Sequence, residues 1–247
     1  MKNILITGAR GFIGTNLISR LSQNTKLNLL EVVRETKVEE LESLIKKSDL
    51  IYHLAGEVRP NSNDSSFRES NLNLTELILK LIKKNNKKIP ILYTSSIHSD
   101  ISVNEYGRTK KASEILIENY AKINNVKCNI YKLPHVFGEH CKPNYNSVIT
   151  TWIYNTVHNL EVKVYDRNIK MNYVYVQDLI KEFSDCLDNF SNEIYVESEY
   201  IYSTNLGEVI DFIEEFKENA NNEKYIIGKD GFKGKLLDVY KHYSRLK

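Results

Sequence analysis

Cysteine is scarce in this chain. The 247 residues hold three, Cys128, Cys141 and Cys186, an odd number in no metal-ligand spacing. That pattern fits reduced thiols in a cytoplasmic protein and assigns no metal. An excess of charge is lacking too. The 34 basic residues nearly balance the 32 acidic ones, leaving a net charge of +2. This gives no argument for nucleic acid or a membrane surface as a partner. No apolar run approaches the ~20 residues of a membrane span. A first strand begins by Ile4, so no signal peptide fits. Internal repeats and low-complexity linkers are also missing. The lysines of Lys80–Lys84 and Lys87–Lys88 read as solvated helix ends and a turn.

What is present is an ordinary hydrophobic content of 41%, enough for a full core in one large domain. Short apolar runs alternate with amphipathic stretches. Strands are predicted over Ile4–Ile6, Leu27–Val33, Leu50–Leu54, Ile89–Thr94 and Asn129–Leu133. Helices are predicted over Gly11–Ser22, Val38–Lys47, Phe67–Lys84 and Tyr106–Asn124. This rhythm implies an α/β fold, a Rossmann-like doubly wound parallel sheet with helices on both faces. After Pro134 the rhythm changes. Helices are expected over Val148–Asn159, Gln177–Leu187, Leu206–Asn219 and Gly228–Lys247, with short strands over Val162–Tyr165 and Tyr173–Val176. The chain reads as a single domain over 1–247, with a core to about residue 135 and a small C-terminal substrate-binding lobe contributed mainly by 136–247.

Directly after the first strand stands Thr7-Gly8-Ala9-Arg10-Gly11-Phe12-Ile13-Gly14. A strand feeding a glycine-rich turn and then a helix presents free backbone N–H groups to a phosphate. Gly8 permits the turn, Gly11 the approach of a pyrophosphate, and Gly14 close packing of helix on strand. The spacing is GxxGxxG. Glu31 lies near the distance at which an acid would meet the ribose 2′-hydroxyl of NAD, but falls within the strand. Arg10 in the turn and Arg34 after the second strand are suited to a 2′-phosphate. NADP(H) is therefore favoured, with NAD(H) possible.

Tyr106 and Lys110 are four residues apart and share a helix face. A lysine ammonium one turn away favours the phenolate. Ser96, at a strand end, can offer a hydroxyl to a substrate oxygen, with its neighbour Ser95 as a competing choice. Ser96 and Tyr106 would hold a carbonyl, and Tyr106 would protonate it as hydride arrives.

The glycine turn, His53-Leu54-Ala55-Gly56, Ser95-Ser96 and Tyr106-x-x-x-Lys110 together resemble the extended short-chain dehydrogenase/reductase family over essentially the whole chain. His53–Pro60, Val136-Phe137-Gly138 and Cys141–Ser147 are similar to the reductase domain of capsular polysaccharide enzymes that make UDP-N-acetyl-L-fucosamine precursors. Those enzymes reduce the C4 ketone of a UDP-2-acetamido-2,6-dideoxy-4-hexulose with NADPH. The resemblance implies that Gly8, Arg10, Gly11, Phe12, Ile13 and Gly14 form the cofactor loop. It puts Leu54, Ala55 and Gly56 on the adenosine side and Pro134 against the nicotinamide. It puts Arg59, His135 and the loop Lys142–Asn146, with Asn144, on the sugar-nucleotide side. Asn71 matches a position that is often structural. The implied substrate is a UDP- or dTDP-linked keto-deoxy sugar, and the implied assembly a homodimer through the two long helices.

Two features depart from these relatives. Lys170-Met171-Asn172 stands where many carry a pyrophosphate-gripping arginine. The sequence also stops near the junction with a C-terminal cupin domain, so a separate epimerase is an expected pathway partner. Sugar-nucleotide 4,6-dehydratases place an Asp-Glu pair beside the serine, where this chain has Ile97-His98-Ser99. A C4 epimerase with retained NAD, or a non-catalytic NADP-binding sensor, remain as alternatives.

Overall fold

Ile4, Leu5 and Ile6 are completely buried, as a strand covered on both faces requires. They form the middle of β1 (Lys2–Thr7), followed by α1 (Phe12–Leu21), β2 (Leu27–Val32), α2 (Val38–Lys47) and β3 (Leu50–His53). Next come α3 (Asp64–Phe67), a π-helical stretch over Arg68–Asn73, and α4 (Leu74–Lys84). The strand β4 (Ile91–Ser96), α5 (His98–Ile101), α6 (Glu105–Asn124) and β5 (Cys128–Leu133) complete the part anticipated from periodicity. Beyond it lie β6 (His135–Phe137), α7 (Val148–Val157), β7 (Lys170–Tyr175), α8 (Val176–Asp185), β8 (Tyr195–Val196), β9 (Tyr202–Asn205), α9 (Leu206–Glu218) and α10 (Phe232–Arg245). This computed structural model describes residues 1–58, 64–101, 103–145, 147–220, 222, 225–228 and 230–246. None of its described helices is long and apolar enough to cross a membrane.

The chain divides into two units. The first comprises Met1–Leu133 and Ile180–Ser198. Its sheet has the order β2-β1-β3-β4-β5-β8, and every described pairing is parallel. This is the Rossmann-like sheet read from the sequence. Alternation along the strands serves two layers. Leu5, Ile51, Tyr93 and Ile130 pack with Leu41 and Ile45 of α2, Ile78 and Ile82 of α4 and Ile117 of α6. Tyr52, next to Ile51, sends its hydroxyl to the Phe183 carbonyl at 2.5 Å. The sheet order reverses at β1, with β2 on one side and β3 on the other. A crevice at such a reversal, outside the strand carboxyl ends, is where open α/β sheets bind ligands.

The second unit comprises Pro134–Leu179 and Glu199–Lys247. Its sheet runs β6-β7-β9, with β6 parallel and β9 antiparallel to β7. A core of its own joins Phe137, Ile153, Tyr173, Ile213, Phe216, Leu236 and Tyr240.

Three sequence expectations change. Val162–Tyr165 is not a strand. Val162 and Val164 do turn inward onto the second core, so packing rather than pairing explains their alternation. Phe67–Lys84 is not one regular helix, because the π-helical stretch widens it, with the Leu74 N–H reaching back to the Glu69 carbonyl. The terminal helix starts only at Phe232, capped by Gly231.

Candidate active site

The glycine turn sits where β1 ends, at the reversal of strand order. Gly8 has φ +68°, and a Cβ there would stand 2.8 Å from the Ala55 nitrogen. Gly14 lies so close to the turn that a Cβ would come 2.2 Å from the Gly8 carbonyl oxygen. The Gly11 N–H closes the turn onto that same oxygen at 2.8 Å. The helix α1 then begins with no side-chain cap and no acidic residue in its first turn. Unclaimed N–H groups at a helix start, beside a cradle that any Cβ would fill, fit the pyrophosphate of a dinucleotide. Phe12 and Ile13 are half-buried behind the turn, and Arg10 is exposed.

The carboxyl end of β4 carries the second group. Ser96 is 6% exposed and stands beside the Tyr106 phenol. Its hydroxyl accepts the His98 N–H at 3.3 Å. The phenol is held above its ordinary range by burial, with Ser96 pulling the other way. The sequence spacing suggested instead that Lys110 would dominate and lower it. In the folded chain the buried Lys110 ammonium donates to the Thr94 carbonyl at 2.8 Å. Burial draws that amine down to about 8, opposed by the Glu114 carboxylate. Lys110 also explains Gly56, where a Cβ would lie 3.1 Å from Nζ and 2.8 Å from Asn71 Oδ1.

Ser95 has a different partner. Its hydroxyl donates to Glu114 Oε1 at 2.5 Å. Glu114 is wholly buried and meets Lys111 at 3.2 Å and Lys132 at 3.8 Å. Tyr106, Lys110 and Glu114 follow one another at four-residue spacing along α6. Lys110 holds the Thr94 carbonyl and Glu114 holds Ser95, so the helix is tied to two consecutive residues of β4, while Tyr106 stands beside Ser96. Sequence reasoning missed Glu114, although its spacing from Lys110 was available.

A polar chain ties the glycine turn to the loop after β3. The Ala55 N–H donates to Thr7 Oγ1 at 3.2 Å, and that hydroxyl meets His53 Nδ1 at 2.8 Å. His53 Nε2 lies 2.8 Å from Thr75 Oγ1, which donates to the Asn71 carbonyl at 2.8 Å. Thr75 has used its hydrogen, so His53 must donate from Nε2 and accept at Nδ1. The ring is thereby neutral, in keeping with a pKa drawn down to about 3 by burial and then by Lys110. Asn71 is buried and structural, binding the Glu57 N–H at 2.8 Å and the Glu57 carbonyl at 3.3 Å.

The remaining candidates are distributed as follows. Leu54 and Ala55 are half-buried against the glycine turn. Arg34 lies just past β2, 3.5 Å from the Glu57 carboxylate, and Arg10 is 4.0 Å from Glu35. Pro134, His135, Lys142 and Asn144 belong to the second unit. His135 lies on β6 with its ring 5.9 Å from that of Tyr173. Lys142 is exposed, and Asn144 takes a left-handed φ of 55° where its N–H donates to Thr151 Oγ1 at 3.0 Å. Arg59 and Asn146 lie outside the described residues.

The chain is 32% identical over 220 residues to the UDP-2-acetamido-2,6-beta-L-arabino-hexul-4-ose reductase of Pseudomonas aeruginosa, covering 89% of this chain and 59% of that protein. It superposes on the capsular polysaccharide assembling protein CapF of Staphylococcus aureus with a TM-score of 0.87 at 36% identity, covering 98% of this chain and 65% of CapF. It thus spans about three-fifths of the length of both relatives. UDP-glucose 4-epimerase of Thermotoga maritima shares the fold, with a TM-score of 0.82 at 15% identity and 99% of each chain covered. The model of the NAD dependent epimerase/dehydratase family matches residues 4–196, and the chain belongs to that family.

Proposed function

We propose that this chain reduces the C4 ketone of a nucleotide-activated 4-keto-6-deoxyhexose, with NADPH as the favoured hydride donor and NADH as the possible alternative. The observation that carries the reading is the placing of Ser96 beside Tyr106, with a buried Lys110 amine, in the same unit as an open glycine turn. The identity to a hexulose 4-reductase supports the same reading.

A bound nicotinamide would supply hydride to the ketone carbon. The protein's task is the oxygen. Ser96 donates a hydrogen bond to it, and Tyr106 donates the proton that turns the developing alkoxide into a hydroxyl. Burial keeps the phenol protonated, the form that a reductase requires of its acid. The Lys110 ammonium then stabilises the phenolate left behind. Gly8, Gly11, Phe12, Ile13 and Gly14 would hold the pyrophosphate, Arg10 and Arg34 the adenosine ribose phosphate, and Leu54, Ala55 and Gly56 the adenosine. Pro134 would meet the nicotinamide. Arg59, His135, Lys142, Asn144 and Asn146 would bind the sugar nucleotide, UDP- or dTDP-linked. In this reading residues 1–247 act as one domain, a core to about residue 135 and a substrate lobe beyond it. It works in the cytoplasm as a homodimer, in capsule or O-antigen sugar synthesis.

The test is NADPH oxidation, followed by absorbance, with UDP- and dTDP-linked 4-keto-6-deoxy sugars. Turnover that Tyr106→Phe abolishes supports the reductase and names the nucleotide. Absence of turnover with either NADPH or NADH rejects it. NAD retained through purification would then favour a C4 epimerase.

A further inference from the structure

Arg34 and Glu57 form an ion pair across the mouth of the glycine turn. The strands β2 and β3 flank β1 on either side, Arg34 lies just beyond β2, and Glu57 lies just beyond β3. The 3.5 Å contact between them therefore spans the end of the strand that carries the turn. The two partners differ sharply in freedom. The Arg34 side chain is 74% exposed and the Glu57 side chain 2%. Glu57 is also clamped, its N–H and carbonyl bound by Asn71 and its Oε1 accepting the Val58 N–H at 3.0 Å. The carboxylate is thus fixed and the guanidinium is the member that can turn outward.

We propose that Glu57 determines cofactor specificity, its buried carboxylate competing with a 2′-phosphate for the Arg34 guanidinium and so restraining the preference for NADP over NAD. The inference rests on the glycine turn binding a dinucleotide. A 2′-phosphate gains Arg34 only by drawing it from Glu57, and then stands close to a fixed negative charge. A ribose 2′-hydroxyl meets no such repulsion, and it can donate a hydrogen bond to a carboxylate. Arg10 is governed differently, because Glu35 lies 4.0 Å away and both side chains are exposed, so solvent and salt screen that pair.

The measurement is fluorescence titration of NADPH and NADH into the wild-type protein, Glu57→Gln, Arg34→Ala and the double variant, with no sugar substrate present. The ratio of NADPH to NADH affinity is expected to rise about tenfold in E57Q, as removal of a close like charge implies. It is expected to fall in R34A, and the E57Q effect should largely vanish on the R34A background. If circular dichroism shows E57Q unfolded, Glu57→Asp, which draws the carboxylate back from Arg34, should raise the ratio in the same direction. Tight binding of both dinucleotides with an unchanged or lower ratio overturns the inference and leaves the dinucleotide site standing. Binding of neither by the wild type overturns both.

Discussion

Ser96 stands beside Tyr106 and draws its phenol downward, whereas the neighbouring Ser95 is committed to the buried Glu114. Two chemically identical side chains thus serve two different residues of α6. Ser96→Ala is expected to lower kcat for ketone reduction by about 10²–10³-fold, the usual loss on removing one donor to a developing oxyanion, with little change in melting temperature. Ser95→Ala should do the reverse. It leaves kcat within a few-fold and lowers the melting temperature, because a buried carboxylate oxygen loses a partner. Steady-state kinetics and thermal melts on the two variants separate these outcomes.

Gly14→Ala should destabilise the protein and abolish NADPH binding. Its Cβ would fall 2.2 Å from the Gly8 carbonyl oxygen, and only a shift of the turn or of α1 relieves that. Gly8→Ala adds a strained φ to a clash with Ala55. Melting temperature and NADPH fluorescence check both variants. A Gly14→Ala protein that binds NADPH as tightly as the wild type contradicts this account of the turn.

The pH dependence of turnover should have an alkaline limb set by Lys110. With its amine drawn down to about 8, the ammonium is lost as pH rises through that value, and with it the stabilisation of the Tyr106 phenolate. Activity is therefore expected to fall above about pH 8. Glu114→Gln retains a partner for Ser95 but removes the charge that supports Lys110, so it should move the limb to lower pH. A limb that stays in place in this variant refutes the electrostatic role of Glu114. The profile of kcat/KM against pH is the measurement.

His53 makes stability depend on pH. Its pKa is drawn down to about 3 in the fold, against an ordinary value of 6.5. Between these values the unfolded chain binds a proton that the folded chain refuses. Stability contributed at neutral pH is thus lost as pH falls from about 6.5 toward 3, with a slope of at most ~1.4 kcal/mol per pH unit. Urea midpoints at pH 5 and pH 7 should differ more for the wild type than for His53→Gln.

The sheet from β1 to β5 was legible because buried strands and amphipathic helices leave periodic traces, and Val38–Lys47 matched its expected bounds. The shared helix face of Tyr106 and Lys110 was legible from spacing, since both lie on α6 one turn apart. The short strands β6, β8 and β9 were not, as two to four residues carry no period. Glu57 and Glu114 escaped notice for another reason. An acidic residue reads as surface until tertiary structure buries it, and both are buried here. The raised phenol of Tyr106 has the same origin, because burial is invisible in a four-residue interval.

The π-helical stretch over Arg68–Asn73 holds more chain than α-helical winding would allow in the same rise. It carries Asn71 to Glu57. Deleting one residue there would let α-helical winding run on with its two flanks still in phase, because a π-helical turn takes in about one residue more than an α-helical one. The loss would fall on Asn71, which reaches Glu57 from within the widened turn. The stretch can shorten without dislodging the helices beside it, but not without loosening its hold on the Glu57 backbone.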